Sequence, residues 1–157
     1  MPTERFYQRC RTLLPDASVL THGTSSRRLE LALASHTVRP SLTGHPLISF
    51  TTDPQVAIYF AHLATTCDRE EYGDAVPILL TMRLGDLRRV GVWLTHFSDT
   101  VWGDTGNCDW ENEIACWNPI DLRAVPFDVT PFVLWTEESI IALRQRLCRL
   151  GADDANE

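Results

Sequence analysis

Trp110-Glu111-Asn112-Glu113-Ile114-Ala115-Cys116-Trp117 places two carboxylates two residues apart at the head of an apolar run. The run predicts a β-strand over 111–117. On a strand, residues i and i+2 share a face, so Glu111 and Glu113 project side by side. Two unpaired acids are costly in a core, which points the pair at a cleft or at solvent. In a cleft, one acid can stabilise a cation while its neighbour takes a proton. At the surface, the same pair is a solvated strand end.

Working outward, the loop before this strand, Thr95 to Asp109, is polar, holds two glycines and carries Phe97 and Trp102. Long ordered loops in small domains often carry function. Upstream, Val76–Leu84 predicts a long strand that turns at Gly85-Asp86, and Gly91–Leu94 a short strand or helical turn. Leu47–Thr51 predicts a strand entering Thr52-Asp53-Pro54, where Asp53 can cap a helix and Pro54 fits its first turn. That helix carries Val56, Ala57, Phe60, Leu63 and Ala64 toward the core. Ala17–Thr21 predicts a strand leading into His22-Gly23-Thr24-Ser25. A helix over Ser26–Ser35 follows, with Leu29, Ala32 and Leu33 on one stripe.

Residues 4–14 predict a short N-terminal helix closed by Pro15. Downstream, Ala124–Phe127 and Phe132–Trp135 predict two strand segments. The last helix opens at Thr136, has Glu137 and Glu138 in its first turn, and stops at Gly151. Strands and helices mix without regular βαβ alternation, which predicts an α+β fold. One domain over 1–150 with a disordered tail over 151–157 is expected from the 157-residue length.

Composition narrows the function. A hydrophobic fraction of 44% is that of an ordinary globular protein. A net charge of −7 argues against nucleic-acid binding. No apolar run is long enough to cross a bilayer, and the N-terminal residues lack the apolar region of a secretory signal. The expected location is the cytoplasm, or the cytosol of a target cell reached without a cleaved signal. All 14 basic residues are Arg. Codon bias accounts for this; so does selection against lysine modification in a host cell. The five cysteines and five histidines are scattered without metal-ligand spacing, so no metal site is expected.

Three segments fall in a definite order: Leu20-Thr21-His22-Gly23-Thr24-Ser25, then Ile48-Ser49-Phe50-Thr51-Thr52-Asp53-Pro54, then Glu111-Asn112-Glu113. Together they resemble the ADP-ribosyltransferase superfamily, over roughly Ser18 to Trp135. That superfamily uses NAD and splits into a His–Tyr–Glu branch and an Arg–Ser–Glu branch. His22-Gly23-Thr24 is similar to the first motif of the former. Ser49-Phe50-Thr51 is similar to the Ser-Thr-Ser motif of the latter, although its first-strand Arg is missing. The paired glutamates resemble arginine-modifying members.

The resemblance implies split antiparallel β-sheets around an NAD cleft with flanking helices. It implies NAD as co-substrate, Glu113 as the acid that stabilises the sugar cation, and Glu111 as the group that orients the acceptor and takes its proton. His22 would bind a ribose hydroxyl and the Gly23 backbone the nicotinamide amide. Ser49 would hold the rotamer of Glu113, with Phe50 and Thr51 beside it. Tyr59 or Phe60 would stack on nicotinamide, and Arg27 and Arg28 would neutralise the pyrophosphate. Each also has a plainer reading: a strand-to-helix turn for His22-Gly23, strand propensity for Ser49 and Thr51, core for Tyr59 and Phe60, solvated charge for the arginines.

The target would be a protein recognised by the Phe97–Trp110 loop. The expected activity is mono-ADP-ribosyl transfer to a protein side chain, arginine favoured, in a bacterial or phage effector or toxin. NAD glycohydrolysis and a catalytically inactive interaction module of the same fold are the alternatives.

Overall fold

The computed structural model describes residues 14–40, 47–97 and 113–154. Among the described residues, eight strands and four helices follow in the order β1 (Val19–Ser25), α1 (Ser26–Ser35), β2 (Thr37–Val38), β3 (Ile48–Thr51), α2 (Pro54–Arg69), β4 (Pro77–Arg83), α3 (Leu84–Arg89), β5 (Leu94–Phe97), β6 (Glu113–Cys116), β7 (Ile120–Asp121), β8 (Asp128–Pro131) and α4 (Glu137–Asp154). The fold is α+β. Six strands form one sheet in the order β5-β6-β3-β1-β4-β8, and β2 pairs with β7 in a second, two-stranded sheet. Every neighbouring pair is antiparallel.

Strand alternation explains the layering. Leu20, Phe50, Leu80, Met82, Ile114 and Cys116 lie on one face and form the main core with Val38 and Ile120 of the small sheet and Leu84 and Leu87 of α3. The opposite face carries Thr21, Thr51 and Glu113 in a single cross-strand row. Helix α2 crosses this second face. The Cβ that an alanine would place at position 23 falls 2.1 Å from the Ala57 carbonyl oxygen and 2.7 Å from the Ala61 nitrogen. Only glycine lets strand and helix approach this closely. On its outer side α2 packs against α4 through Val56, Tyr59, Ile140, Leu143 and Leu147.

The seam between β1 and β3 positions the site. Strand β1 pairs with β4 along its whole length, from Val19 to Ser25, and β3 pairs with β6 from Ile48 to Thr51. Between β1 and β3 the register holds one pair, Thr21 with Thr51. Past it the two halves of the sheet part, and the His22 ring reaches across to the Ser49 carbonyl, Nδ1 to O 2.7 Å.

Several expectations change. Strand β1 runs on through His22-Gly23-Thr24-Ser25 rather than ending at Thr21. The turn expected at Gly85-Asp86 is a short helix held by Leu84 and Leu87, whose side chains reach the core. The segment expected at 91–94 forms its strand later, so Thr95 to Phe97 leave the expected loop for β5. The two segments expected at 124–127 and 132–135 are not strands; the strand is Asp128–Pro131 between them. Helix α4 passes through Gly151 to Asp154. Leu33 of α1 is exposed, leaving Leu29 as the buried leucine of that stripe. The expected helix over 4–14 lies outside the described residues except for Leu14, which is not helical.

Candidate functional site

A cleft of about 480 Å³ opens at the β1–β3 seam. Its walls come from β1 (Thr21, His22, Gly23), β3 (Ser49, Phe50, Thr51), β6 (Glu113) and the inner face of α2, including Phe60 and Cys67. Three segments far apart in the chain therefore meet. Their meeting follows from register: Thr21 pairs with Thr51, and Thr51 pairs with Glu113.

Glu113 is 9% exposed. It opens β6, and the residue across the strand on the β5 side is Phe97. Phe97 and Glu113, the last and first described residues of β5 and β6, therefore stand opposite each other at the rim of the cleft. Opposite Glu113 on β3 stands Thr51, whose hydroxyl accepts a hydrogen bond from the Asp53 N–H at 3.1 Å. Ser49, expected to hold Glu113, stands instead opposite Ala115 and is exposed.

His22 is partly buried, with its ring 5.8 Å from that of Phe50, centroid to centroid. Burial lowers its pKa below the ordinary 6.5, the bond to the Ser49 carbonyl pulls the other way, and the nearby Arg28 charge lowers it further. The ring is neutral at pH 7. A carbonyl only accepts, so Nδ1 carries the proton and Nε2 keeps its lone pair. His22 is therefore a fixed hydrogen-bond acceptor.

A second cavity of about 430 Å³ adjoins the cleft along α1, with His22 and Arg28 common to both. Thr24, expected to bind the cofactor as part of the His22-Gly23-Thr24 motif, lines this second cavity. Tyr59 lines neither: it is buried between α2 and α4. Phe60, its edge-on neighbour at 5.3 Å, is the aromatic residue of α2 in the cleft wall. Gly23, expected to approach a ligand, lines the cleft and is also required by the contact with α2.

The two arginines at the start of α1 diverge. Arg27 lies over the Tyr72 ring at 4.2 Å and pairs with Glu30, lining neither cavity. Arg28 is gripped by Asp68 of α2, with Nε and Nη2 on the two carboxylate oxygens at 3.1 and 3.3 Å. Asp68 also accepts the Ser25 hydroxyl, and Ser25 caps α1. This Ser25–Asp68–Arg28 cluster had no sequence signal beyond the serine before the helix, since Asp68 lies 43 and 40 residues from Ser25 and Arg28.

Glu111 and the chain from 98 to 112 lie outside the described residues. Among the described residues no group of His, Cys, Asp and Glu could hold a metal ion, and no helix is long and apolar enough to cross a membrane. Comparison with known protein families, with curated proteins and with solved structures found no match.

Proposed function

We propose that this chain is an NAD-dependent mono-ADP-ribosyltransferase that moves ADP-ribose from NAD to a protein side chain. One observation carries the reading: His22, Thr51 and Glu113, from three separate strands, line a single cleft.

Each group suits the chemistry. Breaking the bond between nicotinamide and ribose builds positive charge on the sugar, as in glycoside hydrolysis. Glu113 supplies a carboxylate that is largely shielded from water, where it stabilises such charge best. His22 Nε2 accepts from a ribose hydroxyl, because Nδ1 is committed to Ser49. The Phe60 ring offers a stacking surface for nicotinamide. Arginine is the favoured acceptor on the strength of Glu111. The Phe97–Trp110 segment begins at Phe97, which stands opposite Glu113, and would recognise the protein target. Such a protein would act as an effector in the cytosol of a host or rival cell.

The test is nicotinamide release from NAD by the purified protein, with and without an arginine analogue. Glu113→Gln is expected to lower release about a hundredfold or more. Acceleration by the analogue marks a transferase; full release without acceptor marks a glycohydrolase. Absence of both release and NAD binding overturns the reading.

A further inference from the structure

A groove of about 750 Å³ runs between α2 and α4. Tyr59 and Ile140 are buried in it, yet Leu63 on the α2 wall is 43% exposed and Ile141 on the α4 wall 50%. Two large aliphatic side chains left half in water in one groove mark a contact surface. On α4 the lining residues are Glu137, Ile140, Ile141, Arg144, Gln145 and Cys148. Steps of three and four make these one stripe along the helix. Glu137 and Arg144 are both exposed, and neither has an ion-pair partner among the described residues. Separated by two turns, about 10 Å along the axis, they do not meet within one helix. The stripe thus reads acid, isoleucine pair, base.

We propose that this face is a two-fold homodimer interface, in which each copy's α4 covers the other's groove. A stripe of this order is complementary to itself. A two-fold axis crossing α4 between Ile140 and Ile141 lays a second copy antiparallel to the first. Glu137 of each copy then faces Arg144 of the other, and the two Ile141 side chains meet at the centre. Sliding one helix by two turns in either direction sets acid against acid or base against base, so charge selects the register. The contact is isologous, as a two-fold requires. A different partner would have to supply both charges in the right order, whereas this chain already carries them. Leu63 also lines the β1–β3 cleft, so the second copy borders the cleft along α2. The inference stands independently of the NAD reading.

The experiment is sedimentation velocity on the full chain, from low to high micromolar concentration. Wild type is expected to shift from monomer to dimer as concentration rises, in the weak range of a contact smaller than a standard interface. Ile141→Gln, Glu137→Arg and Arg144→Glu are each expected to raise the dissociation constant about tenfold or more. The combined variant Glu137→Arg/Arg144→Glu restores both cross-pairs and should return to within about threefold of wild type. A merely structural role would not produce that rescue, because the two side chains do not meet within one copy. Unfolding midpoints taken at monomeric concentration establish that each variant is folded. Should Glu137→Arg fail to fold, Arg144→Glu and Ile141→Gln carry the test. A wild-type monomer at every concentration overturns the proposal and leaves the groove to another occupant. So does a dimer that the single substitutions leave unchanged, or a folded double variant no more dimeric than the single ones.

Discussion

Gly23 and His22 are consecutive, yet opposite demands act on them. Gly23 lies under α2, where an added methyl group would meet backbone atoms of Ala57 and Ala61 that cannot swing aside. Gly23→Ala is therefore expected to destabilise the fold by about 1–3 kcal/mol or more, read as a lower midpoint in urea. A change within error would show that α2 can shift at no cost. His22 faces the other way, and its burial holds the neutral form. Its folded-state pKa is below the unfolded value, so between the two the unfolded chain binds more protons. The stability from neutral His22 is complete above about pH 6.5 and is lost as the pH falls from there toward the folded-state value. His22→Gln should flatten the decline in stability between pH 7.5 and 5.5; an identical slope would remove His22 as its source. Cys116 shows the same force on a thiol. Burial pushes it up to about 11, with a hydrogen bond to the Asn118 backbone pulling it partly back. A thiol reagent followed by peptide mapping should label exposed Cys67 in the native protein and Cys116 only on unfolding.

Among the elements, α2 does most to shape the site. It forms one wall of the cleft and, on its other side, packs against α4. Its start is written locally: the Asp53 side chain accepts the Gln55 N–H at 2.9 Å, and Pro54 fills the first turn. Asp53→Ala should cost about 1 kcal/mol. Leu143→Ala, which hollows out the contact with α4, should cost about 2–5 kcal/mol. Both are measurable by chemical denaturation, and a reversed order would mean that α4 adds little to the seating of α2. The strands divide by how much they bury. Strands β1, β3 and β6 carry apolar residues into the core and are legible from the chain. Strand β8, Asp128–Pro131, is exposed at every residue. It exists because its backbone completes the edge of β4, and apolar periodicity has nothing to report about such a strand. The neighbouring apolar residues that suggested strands, Val125 and Phe127, reach the core from irregular backbone.

At the scale of the whole molecule, the sheet is two halves joined by the pair Thr21–Thr51. The β1–β4 half is paired end to end and lies beneath α2. Local opening favours the least supported boundary. Amides of β3 directed at the seam should exchange faster than those directed at β6, and amides shared by β1 and β4 slowest, when followed residue by residue in deuterated buffer. Uniform protection across the seam would show that the halves open only together. The candidate site straddles that boundary, so its dimensions depend on how far the halves part.

Local chemistry decided much of this from the chain alone. The cap at Asp53, the strands with a buried face, the α+β mixture and the order of the three motif segments follow from side-chain size, polarity and short-range hydrogen bonding, which act between near neighbours. That His22, Ser49 and Glu113 share one cleft wall was legible through resemblance. Their partners were not. Thr51 rather than Ser49 faces Glu113, Phe60 rather than Tyr59 faces the cleft, and Arg28 rather than Arg27 reaches the junction of the cavities. Each choice turns on strand register or helix rotation, where a one-residue step reverses the side a group faces. Only the tertiary structure settles register and rotation, because contacts between residues far apart in the chain determine them.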